Sequence, residues 1–447
     1  MDTCDLSSPD PGVLWADGAT LRDANQRVVT LRGINAGGRS KMPPYSPFDY
    51  TDYDSALADY LDTAASWGID VLRVPFSWAA MEPEPGVDDE EWLERYDALL
   101  DGAWERGLWT IVDFHQDIYA ENYCGDGFPT WTLADPDPPD PHWDCETWFF
   151  EYDSDEVQAA FDDFWADTYG ARTAFEAMWE RMAARHAGRP GVIGFEIINE
   201  PHEGSASAST WQEETLAPFY TEMAAIIHAV APDQLVLFDA TGLDGVNAET
   251  DMPRPEGDGL MFAPHFYDPL AFLGATADAD NVRAGLTAWA DKAYEWDMPV
   301  IIGEFGAPGD DLQAAQTSLE AHYEVIEEVG LHSTQWEYSA SVDSWNFEDF
   351  SVVHADGTER PELLSPLIRP YIRLLAGEDL TFFYDHYTHT LIATWNAEED
   401  GVTEVMLPKR LYGDDATVLA DGACIDRRDD RVLVSGSGTV RLEVRSH

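Results

Sequence analysis

The sequence predicts an α/β fold: a (β/α)8 TIM barrel followed by a small C-terminal antiparallel β-sandwich. Three observations support this prediction. Short apolar strands alternate with amphipathic helices from about residue 12 to residue 375, and polar residues stand where these strands end. After Leu375 the pattern changes to short strands separated by turn residues. Alternation of the first kind is typical of repeated βα units around a parallel sheet.

Eight segments have the composition of buried parallel strands, because each is a nearly continuous apolar run. They are residues 31–35, 69–76, 108–114, 191–199, 234–240, 259–266, 298–305 and 332–338. Amphipathic helices are predicted between most of them, for example at 90–107 and 314–330, and a two-stranded hairpin at 20–34 comes first. We therefore predict a barrel with its N-terminal hairpin over residues 1–375 and a β-sandwich over residues 376–447.

Polar side chains lie at the C-terminal ends of the predicted strands, the rim that carries the active site in (β/α)8 barrels. They are Asn35, Arg73, His115, Asn199, Glu200, His265, Glu304 and Trp336. A doubly wound sheet is the competing architecture. The sequence has no Gly-rich phosphate loop after its first strand, which disfavours that alternative.

A long segment at 116–155 interrupts the regular pattern after the third predicted strand and is rich in Pro, Asp, Trp and Cys. Loops of this length in a compact domain are usually functional, so we expect a wall or lid over the site. Cys124 and Cys145 lie in this segment and can form a disulfide, although two buried thiols are the equal alternative. Its tryptophans fit loop packing as well as ligand contact.

The charge balance is strongly acidic, with 86 Asp and Glu against 25 Lys and Arg and a formal net charge of -61. Lys41, Lys292 and Lys409 are the only lysines. Self-repulsion on this scale destabilises a compact state unless ions screen it, so we predict a protein adapted to high salt. An ordinary acidic protein is the alternative. Nucleic acid and anionic membrane surfaces are excluded as favourable partners.

The chain as given begins without a basic region followed by an apolar run, so no signal peptide is predicted in it. No stretch approaches the roughly 18 apolar residues of a membrane span. The compartment stays open between the cytoplasm and secretion as a mature form.

Two glutamates carry the chemistry that the sequence suggests. Glu200 lies in IINEP at the end of the fourth predicted strand, and Glu304 lies in IIGEFG at the end of the seventh. These strands lie across a barrel from each other, so the two carboxyl groups can face one another. Glycoside hydrolysis needs one carboxylic acid to protonate the leaving oxygen and one carboxylate to attack or to activate water. A lone glutamate at a strand end is more often structural or solvent-exposed than catalytic, but two glutamates, each in a tight motif on opposite strands, favour catalysis.

The chain resembles glycoside hydrolase family five, in the clan of retaining barrels, over roughly residues 13–375. The resemblance is carried by LRGIN, VLRVPF, DFHQD, NEP, APHFYD, GEFG and TQWEY, which contain Arg73, His115, Asn199, His265, Tyr267, Glu304 and Trp336. It implies that Glu200 is the acid/base and Glu304 the nucleophile. It also implies that no metal or organic cofactor is needed, since two carboxylates suffice.

The supporting residues have physical roles that agree with this resemblance. Arg73 emerges from an apolar strand and needs a carboxylate partner, for which Glu304 is the candidate. Tyr267 can donate a further hydrogen bond to Glu304. Asn199 can reach the sugar 2-hydroxyl, and Trp336 offers an apolar platform for a sugar face. The alternatives are a structural ion pair for Arg73, core packing for Trp336, and satisfied polar contacts for His115 and His265.

Within the family the chain is most similar to the endoglycoceramidase-like branch. HQD at 115–117 is followed by GDGFPTWT at 125–132, and Lys41 follows the first strand. The resemblance implies that Lys41 and Asp117 contact the sugar, whereas the alternative for Lys41 is an ordinary surface lysine.

The sequence therefore predicts a retaining β-glycosidase acting on β-glucosides or β-galactosides, with a carbohydrate or glycolipid as its partner. A cellulase- or mannanase-like enzyme acting on polysaccharide is the second hypothesis. A non-catalytic carbohydrate-binding barrel is the third, and it predicts the loss of a catalytic carboxylate, yet both are present.

Overall fold

The computed structural model describes residues 4–137, 143, 145–341 and 349–446. The strands are β1 (Trp15–Asp17), β2 (Thr20–Arg22), β3 (Val28–Val29), β4 (Arg32–Asn35), β5 (Val71–Phe76), β6 (Trp109–Phe114), β7 (Val192–Glu196), β8 (Leu235–Phe238), β9 (Leu260–Phe262), β10 (Ile301–Ile302), β11 (His332–Gln335), β12 (Tyr371–Leu375), β13 (Gly377–Asp385), β14 (Thr390–Ala397), β15 (Thr403–Met406), β16 (Thr417–Arg427) and β17 (Arg431–Arg445).

The α-helices of the described residues mostly lie between the strands of the first sheet. They are α1 (Tyr53–Ala65), α2 (Trp78–Met81), α3 (Glu90–Glu105), α4 (Asp155–Trp165), α5 (Ala171–His186), α6 (Ala208–Trp211), α7 (Ala217–Val230), α8 (Gly242–Asn247), α9 (Pro269–Phe272), α10 (Ala279–Glu295), α11 (Leu312–Val329), α12 (Pro361–Leu364) and α13 (Lys409–Tyr412). Asp89 and Asp311 begin the long helices α3 and α11 by accepting hydrogen bonds from backbone amides of the first turn, as N-cap residues do.

The predicted barrel is confirmed. Eight parallel strands pair in the order β10-β11-β4-β5-β6-β7-β8-β9. The backbone N–H of Phe262 donates to the carbonyl of Pro299 at 2.9 Å, which brings β9 against the segment leading into β10 and closes the circle. Each strand lies inside its predicted segment, and the last five segments run past the strand ends into the loops of the rim. The rim loops are therefore anchored directly on the sheet.

Two apolar layers fill the barrel unit. The larger core lies between the strands and the surrounding helices, and includes Trp67, Trp179 and Trp289. A second cluster contains the side chains of alternate strand positions such as Val71, Ile111 and Leu237, together with Leu14, Leu21 and Leu374 from outside the barrel strands. This arrangement leaves the opposite, C-terminal end of the strands for polar side chains.

The second sheet is antiparallel and combines both ends of the chain. Its strand order is β1-β2-β3-β12-β15-β17-β14-β13, with β16 also paired to β17. Leu374 pairs with Val29, so the N-terminal hairpin continues into the C-terminal strands. A disulfide between Cys4 and Cys424 joins the same two parts of the chain. The division of the chain at residue 375 stays a prediction.

The segment after β6 is compact where the structure describes it; residues 138–142 and 144 of the predicted excursion lie outside the described residues. Cys124 and Cys145 form a disulfide. Phe128 stacks on Tyr119 at 4.2 Å between ring centroids. The indole N–H of Trp131 donates to the backbone carbonyl of Glu82 at 3.0 Å, so this tryptophan contributes to loop packing.

Among the described residues, none of the helices combines the length and the apolar character that crossing a membrane requires.

Arg373 joins the barrel to the second sheet. Its guanidinium contacts Asp70 at 3.3 Å and Glu404 at 3.2 Å, and lies 4.1 Å from the ring centroid of Trp109. We expect Arg373→Met to lower the free energy of unfolding by about 3 kcal/mol, because it removes one partner of buried carboxylates. Urea titration at fixed salt measures this.

The control is Arg410→Met, which removes an exposed pair with Glu359 and is expected to cost about 0–1 kcal/mol. Equal unfolding free energies for the two variants would contradict the role given to Arg373.

Candidate active site

The residues predicted for the site meet at the C-terminal rim of the barrel and form one connected set. The set comprises Lys41, Arg73, His115, Asp117, Asn199, Glu200, His265, Tyr267, Glu304 and Trp336, each in contact with at least one other member. Glu200 follows β7 and Glu304 follows β10, the fourth and seventh barrel strands. The rim therefore gathers side chains from loops that are distant in sequence.

Arg73 is fully buried and is the centre of the rim. Its Nε and Nη2 donate to the two oxygens of Glu196, each at 2.8 Å. Nη1 donates to Asn35 at 2.9 Å and to Glu304 at 2.7 Å, and Nη2 also donates to Asn199 at 2.9 Å. The predicted pairing of Arg73 with Glu304 is present, and a guanidinium with all its donors used has a fixed orientation.

Glu304 is held by two donors. Arg73 binds its Oε1, and the Tyr267 hydroxyl donates to its Oε2 at 3.0 Å. Burial raises the pKa of the Glu304 carboxyl, while the neighbouring His265 and Arg73 act in the opposite direction. The contact that the sequence predicted for Tyr267 is therefore also present. This carboxylate has a defined orientation and a cation beside it.

Glu200 has a different environment. Its side chain is 19% exposed and its Oε1 lies 2.7 Å from Nδ1 of His265. Its backbone has a φ of 37°, in the left-handed region that few non-glycine residues adopt. The Gln116 amide donates to its carbonyl at 3.0 Å and its own N–H donates to Asp239 at 3.0 Å. Burial, with the negative charge of Asp117, raises the pKa of Glu200 to about 7.

The two candidate glutamates are close together. A carboxylate oxygen of Glu200, a carboxylate oxygen of Glu304 and a ring nitrogen of His265 all lie within 4.8 Å of one another. Retaining glycosidases have their carboxyl groups about 5–5.5 Å apart, and inverting ones about 6.5–9.5 Å apart. The geometry therefore agrees with retention.

Acidic residues and His265 also meet in a second group, in which ligand atoms of Glu196, Asp239 and His265 lie within 4.8 Å of one another. Both oxygens of Glu196 accept hydrogen bonds from Arg73. Asp239 accepts from the backbone amides of Glu200 and Ala240. These carboxylates therefore already have partners from the protein.

Lys41 forms a polar pocket wall with the residues after β6. Its ammonium contacts Asp117, lies 3.3 Å from Nε2 of His115, and is 4.8 Å from the ring centroid of Trp336. Burial opposes ionisation of Asp117, but the adjacent Lys41 lowers the pKa of that carboxyl to about 2. The ring of His115 stacks on Trp336 at 5.3 Å. Lys41 is thus buried in the site and is no surface lysine.

Several contributors were missed by the sequence analysis. Asp113 and Glu196 lie inside apolar strands and contact Arg73 at 3.1 Å and 2.8 Å, while Asp239 and Gln116 hold the backbone of Glu200. The sequence did contain a signal for Asp113 and Glu196. A carboxylate within an apolar strand needs a buried cation, and Arg73 was the cation already identified.

Known proteins resemble this chain in sequence. Residues 23–342 match the family model described as cellulase (glycosyl hydrolase family 5). Endoglycoceramidase I of Rhodococcus hoagii (strain 103S) is 25% identical over 471 aligned positions, covering 96% of this chain and 88% of the relative. The endoglycoceramidase of Cyanea nozakii is 26% identical over 286 positions, covering 56% of each chain.

A solved structure gives the same result for the fold. Endo-glycoceramidase II from Rhodococcus sp. aligns with a TM-score of 0.77 and 26% identity, covering 98% of this chain and 100% of the other. The barrel and its rim thus define a glycoside hydrolase, a retaining enzyme for β-glycosides. This chain belongs to glycosyl hydrolase family 5.

Gly242, the first residue of α8, lies against the candidate acid/base residue. A methyl group added at Gly242 would lie 2.8 Å from Oε2 of Glu200. We expect Gly242→Ala to lower kcat/KM on an aryl β-glycoside by roughly 10²-fold, because displacement of a reacting group by about 1 Å has an effect of that size.

Thermal unfolding of the same variant is the control. Gly242 is outside the left-handed region, and alanine is the better helix former, so stability should not fall. Unchanged kinetics in a stable variant would contradict the placement of Glu200 beside Gly242.

Proposed function

We propose that this enzyme releases the sugar or oligosaccharide of a glycolipid, with Glu304 as nucleophile and Glu200 as acid/base. The observation that carries the substrate proposal is that two surfaces lead to the two glutamates. One is a polar wall formed by Lys41, Asp117, Asn199 and Trp336, and the other is an aromatic surface formed by Tyr267, Phe272, Phe149 and Phe150. A glycolipid is an amphipathic substrate that needs both. The endoglycoceramidase relatives, and the complex of endo-glycoceramidase II from Rhodococcus sp. with ganglioside GM3, support the same choice.

Glu304 suits the role of nucleophile. The guanidinium of Arg73 favours the ionised carboxylate, and the Tyr267 hydroxyl fixes the position of Oε2. In the first step a Glu304 oxygen attacks the anomeric carbon, the glycosidic bond breaks and a covalent glycosyl-enzyme forms. Because the carboxylate is oriented before the substrate arrives, little reorganisation is needed during attack.

Glu200 suits the role of acid/base. With a pKa of about 7, its carboxyl is protonated at mildly acidic pH and can donate to the leaving oxygen. It is then a carboxylate and can take a proton from the water that attacks the glycosyl-enzyme. Arg73 pairs with Glu304 and leaves Glu200 without a direct cation contact among the described residues, so the two carboxyl groups differ in the way that the two roles require.

The polar wall suits the glycan. Lys41 and Asp117 present a buried charged pair, and Trp336 presents a ring beside it. The amide of Asn199 accepts from Arg73 and donates to the carbonyl of Gln116 at 3.1 Å. One N–H of this amide remains for the sugar 2-hydroxyl, since an amide nitrogen has two.

The aromatic surface suits the lipid. Tyr267, which binds Glu304, lies 5.8 Å from Phe272 between ring centroids. Phe272 lies 5.7 Å from Phe149, and Phe149 lies 4.3 Å from Phe150. Phe150 is 68% exposed, and Leu273, which follows α9, is 73% exposed. A contiguous exposed apolar patch beside a site is typical of ligand binding.

A polysaccharide substrate is the second candidate, favoured by the family model described as cellulase. A glucan needs sugar platforms on both sides of the cleaved bond, whereas the aromatic surface here continues into exposed Phe150 and the aliphatic Leu273. We therefore prefer the glycolipid.

Replacement of each glutamate tests the mechanism. Glu304→Ala should abolish turnover while the fold survives. Glu200→Ala should keep activity on an aryl glycoside with an acidic phenol and be accelerated by azide, which needs no general base. Release of phenol and formation of glycosyl azide measure this. Wild-type-like activity of Glu304→Ala, or the absence of azide products from Glu200→Ala, would contradict the assignments.

The substrate is tested with a lactosylceramide, a soluble β-glucan and an aryl β-glucoside, all in the same salt. Release of an intact glycan from the lipid supports the proposal, and activity on the glucan alone contradicts it. Lys41→Met should raise KM for the lactosyl lipid roughly tenfold to a hundredfold, since a hydrogen bond to a charged group contributes about 1.5–3 kcal/mol. The aryl monosaccharide should be much less affected.

Lys292→Met is the matched control for that variant, because Lys292 forms a solvent-accessible pair with Glu295 on α10. Equal KM values for the two lysine variants on the lactosyl lipid would exclude Lys41 from glycan binding.

We also propose that the enzyme is adapted to high salt. The support is compositional: 86 acidic against 25 basic residues give a net charge of -61. Cations at molar concentration shorten the Debye length to about 3 Å and screen repulsion between carboxylates.

Dialysis from molar salt into dilute buffer should therefore unfold or inactivate the protein. Far-ultraviolet circular dichroism and activity, recorded during the dialysis and after salt is restored, measure this. Full stability in dilute buffer would refute salt adaptation, whatever the substrate.

A further inference from the structure

Residues Cys145–Asp153 form a short segment that we call the strap. It leads into α4 and carries Phe149 and Phe150 of the aromatic surface. Its backbone leaves helical geometry at Thr147, where φ is -128° and ψ is 26°. Short 3₁₀ turns have poorer hydrogen-bond geometry than an α-helix, so the position of the strap depends on what its side chains contact.

The disulfide between Cys145 and Cys124 is the first contact that holds the strap. Cys124 lies in the loop after β6, and this loop folds back on the polar wall, because the N–H of Asp126 donates to the carbonyl of Asp117 at 2.9 Å. The two cysteines are 21 positions apart in the chain. The disulfide therefore gives the strap a direct connection to the polar wall and removes conformational freedom from a long loop.

Tyr152, which is partly buried, provides the second contact. Its hydroxyl donates to Oδ1 of Asp117 at 3.4 Å, while Lys41 contacts Oδ2 of the same carboxylate. Burial and the charges of Asp117 and Glu200 raise the pKa of Tyr152 well above its ordinary value, so the hydroxyl keeps its proton and remains a donor. Tyr152 therefore joins the strap to the polar wall.

The ring of Tyr152 also contacts the loop that follows the candidate acid/base residue. It stacks on the imidazole of His202, with 5.2 Å between the ring centroids and 27° between the ring planes. His202 comes two positions after Glu200, and its carbonyl accepts the indole N–H of Trp165 of α4 at 2.8 Å. One side chain of the strap thus contacts both the polar wall and the loop of Glu200.

Hydrolysis of a glycolipid needs the polar wall and the aromatic surface in fixed relative positions. The glycan lies on one side of the cleaved bond and the lipid on the other, and a displacement of about 1 Å lowers the rate by roughly 10²-fold. An aryl monosaccharide has neither a second sugar nor a lipid chain. A contact that aligns the two surfaces therefore affects the glycolipid and leaves the aryl monosaccharide unaffected.

We propose that Tyr152 is a positioning residue for the glycolipid, which aligns the aromatic surface with the polar wall through Asp117, and that the Cys124–Cys145 disulfide holds it in place. The proposal rests on the proposed function, because it assigns the glycan to the polar wall and the lipid to the aromatic surface.

Tyr152→Phe tests the first part, because it removes the hydroxyl and keeps the ring on His202. We expect KM for lactosylceramide in micelles of a neutral detergent to rise roughly threefold to tenfold, the effect of one hydrogen bond, with kcat unchanged. KM for an aryl β-glucoside should not change. Initial rates in one salt measure both. An unchanged KM for the lipid, or an equal rise for both substrates, would overturn the proposal.

Tyr53→Phe is the matched control. The Tyr53 hydroxyl also donates to a protein oxygen, the carbonyl of Arg95 at 2.9 Å, but it lies at the start of α1, which packs against α3. This variant should leave KM for both substrates unchanged. A rise in KM for lactosylceramide equal to that of Tyr152→Phe would show a general effect of losing a tyrosine hydroxyl and would overturn the proposal.

Removal of the disulfide tests the second part. The double variant Cys124→Ser, Cys145→Ser should raise KM for lactosylceramide at least as much as Tyr152→Phe does. Adding Tyr152→Phe to it should raise KM by no more than about twofold further, because changes that act through one contact are not additive. Full additivity would overturn the role given to the disulfide. Failure of the double variant to fold would also overturn it, since a contact confined to the strap is not needed by the barrel.

The disulfide between Cys4 and Cys424 provides the control for that variant, because it joins the N-terminal segment to β16. Its replacement by two serines should leave KM for both substrates unchanged. A rise in KM for lactosylceramide equal to that of the strap variant would contradict a specific role of Cys124 and Cys145.

The failure of this proposal and the failure of the proposed function are distinguishable. If the wild type releases no glycan from lactosylceramide, the proposed function fails and the alignment by Tyr152 fails with it. If the wild type releases the glycan and Tyr152→Phe has the same KM as the wild type, only the role of Tyr152 is refuted.

Discussion

The buried guanidinium of Arg73 is the interaction on which the rim depends. Five hydrogen bonds leave it, to Glu196, Asn35, Glu304 and Asn199, and these residues belong to the first, fourth and seventh barrel strands and their loops. Ions removed from water need excellent geometry and further hydrogen bonds to offset their desolvation. A single planar cation meets that need for several carboxylates at once, and it thereby fixes their relative positions.

The position of this cation also makes the two candidate catalytic carboxyl groups unequal. Glu304 is in direct contact with Arg73, whereas Glu200 faces the imidazole of His265. Burial raises the pKa of both carboxyl groups, but of the two only Glu304 accepts a hydrogen bond from the guanidinium. A retaining mechanism requires one carboxylate and one carboxylic acid at the same pH. The two carboxyl groups differ because Arg73 donates a hydrogen bond to Glu304 and not to Glu200.

Features that depend on local sequence patterns could be predicted from the sequence. Contacts between residues that are far apart in the chain were partly missed. Apolar runs predicted the eight barrel strands, and the need of a buried arginine for a carboxylate predicted its contact with Glu304. The same argument stopped at one partner, so Glu196 was missed, although both oxygens of that residue bind Arg73. The pairing of Val29 with Leu374 has no local signal at all, because a short hairpin strand does not specify an edge that is hundreds of residues away.

The rim of this barrel has two structurally different parts. The two glutamates and Arg73 lie on or directly after strands, where the backbone is fixed by the sheet. The aromatic surface lies instead on short helices, and the segment that includes Phe149 is joined by Cys145 to Cys124. Changes in such loops can alter the surroundings of the rim without moving the two candidate catalytic carboxyl groups. In this chain the aromatic surface proposed to contact substrate therefore lies on loops, whereas the candidate catalytic groups lie at the strand ends.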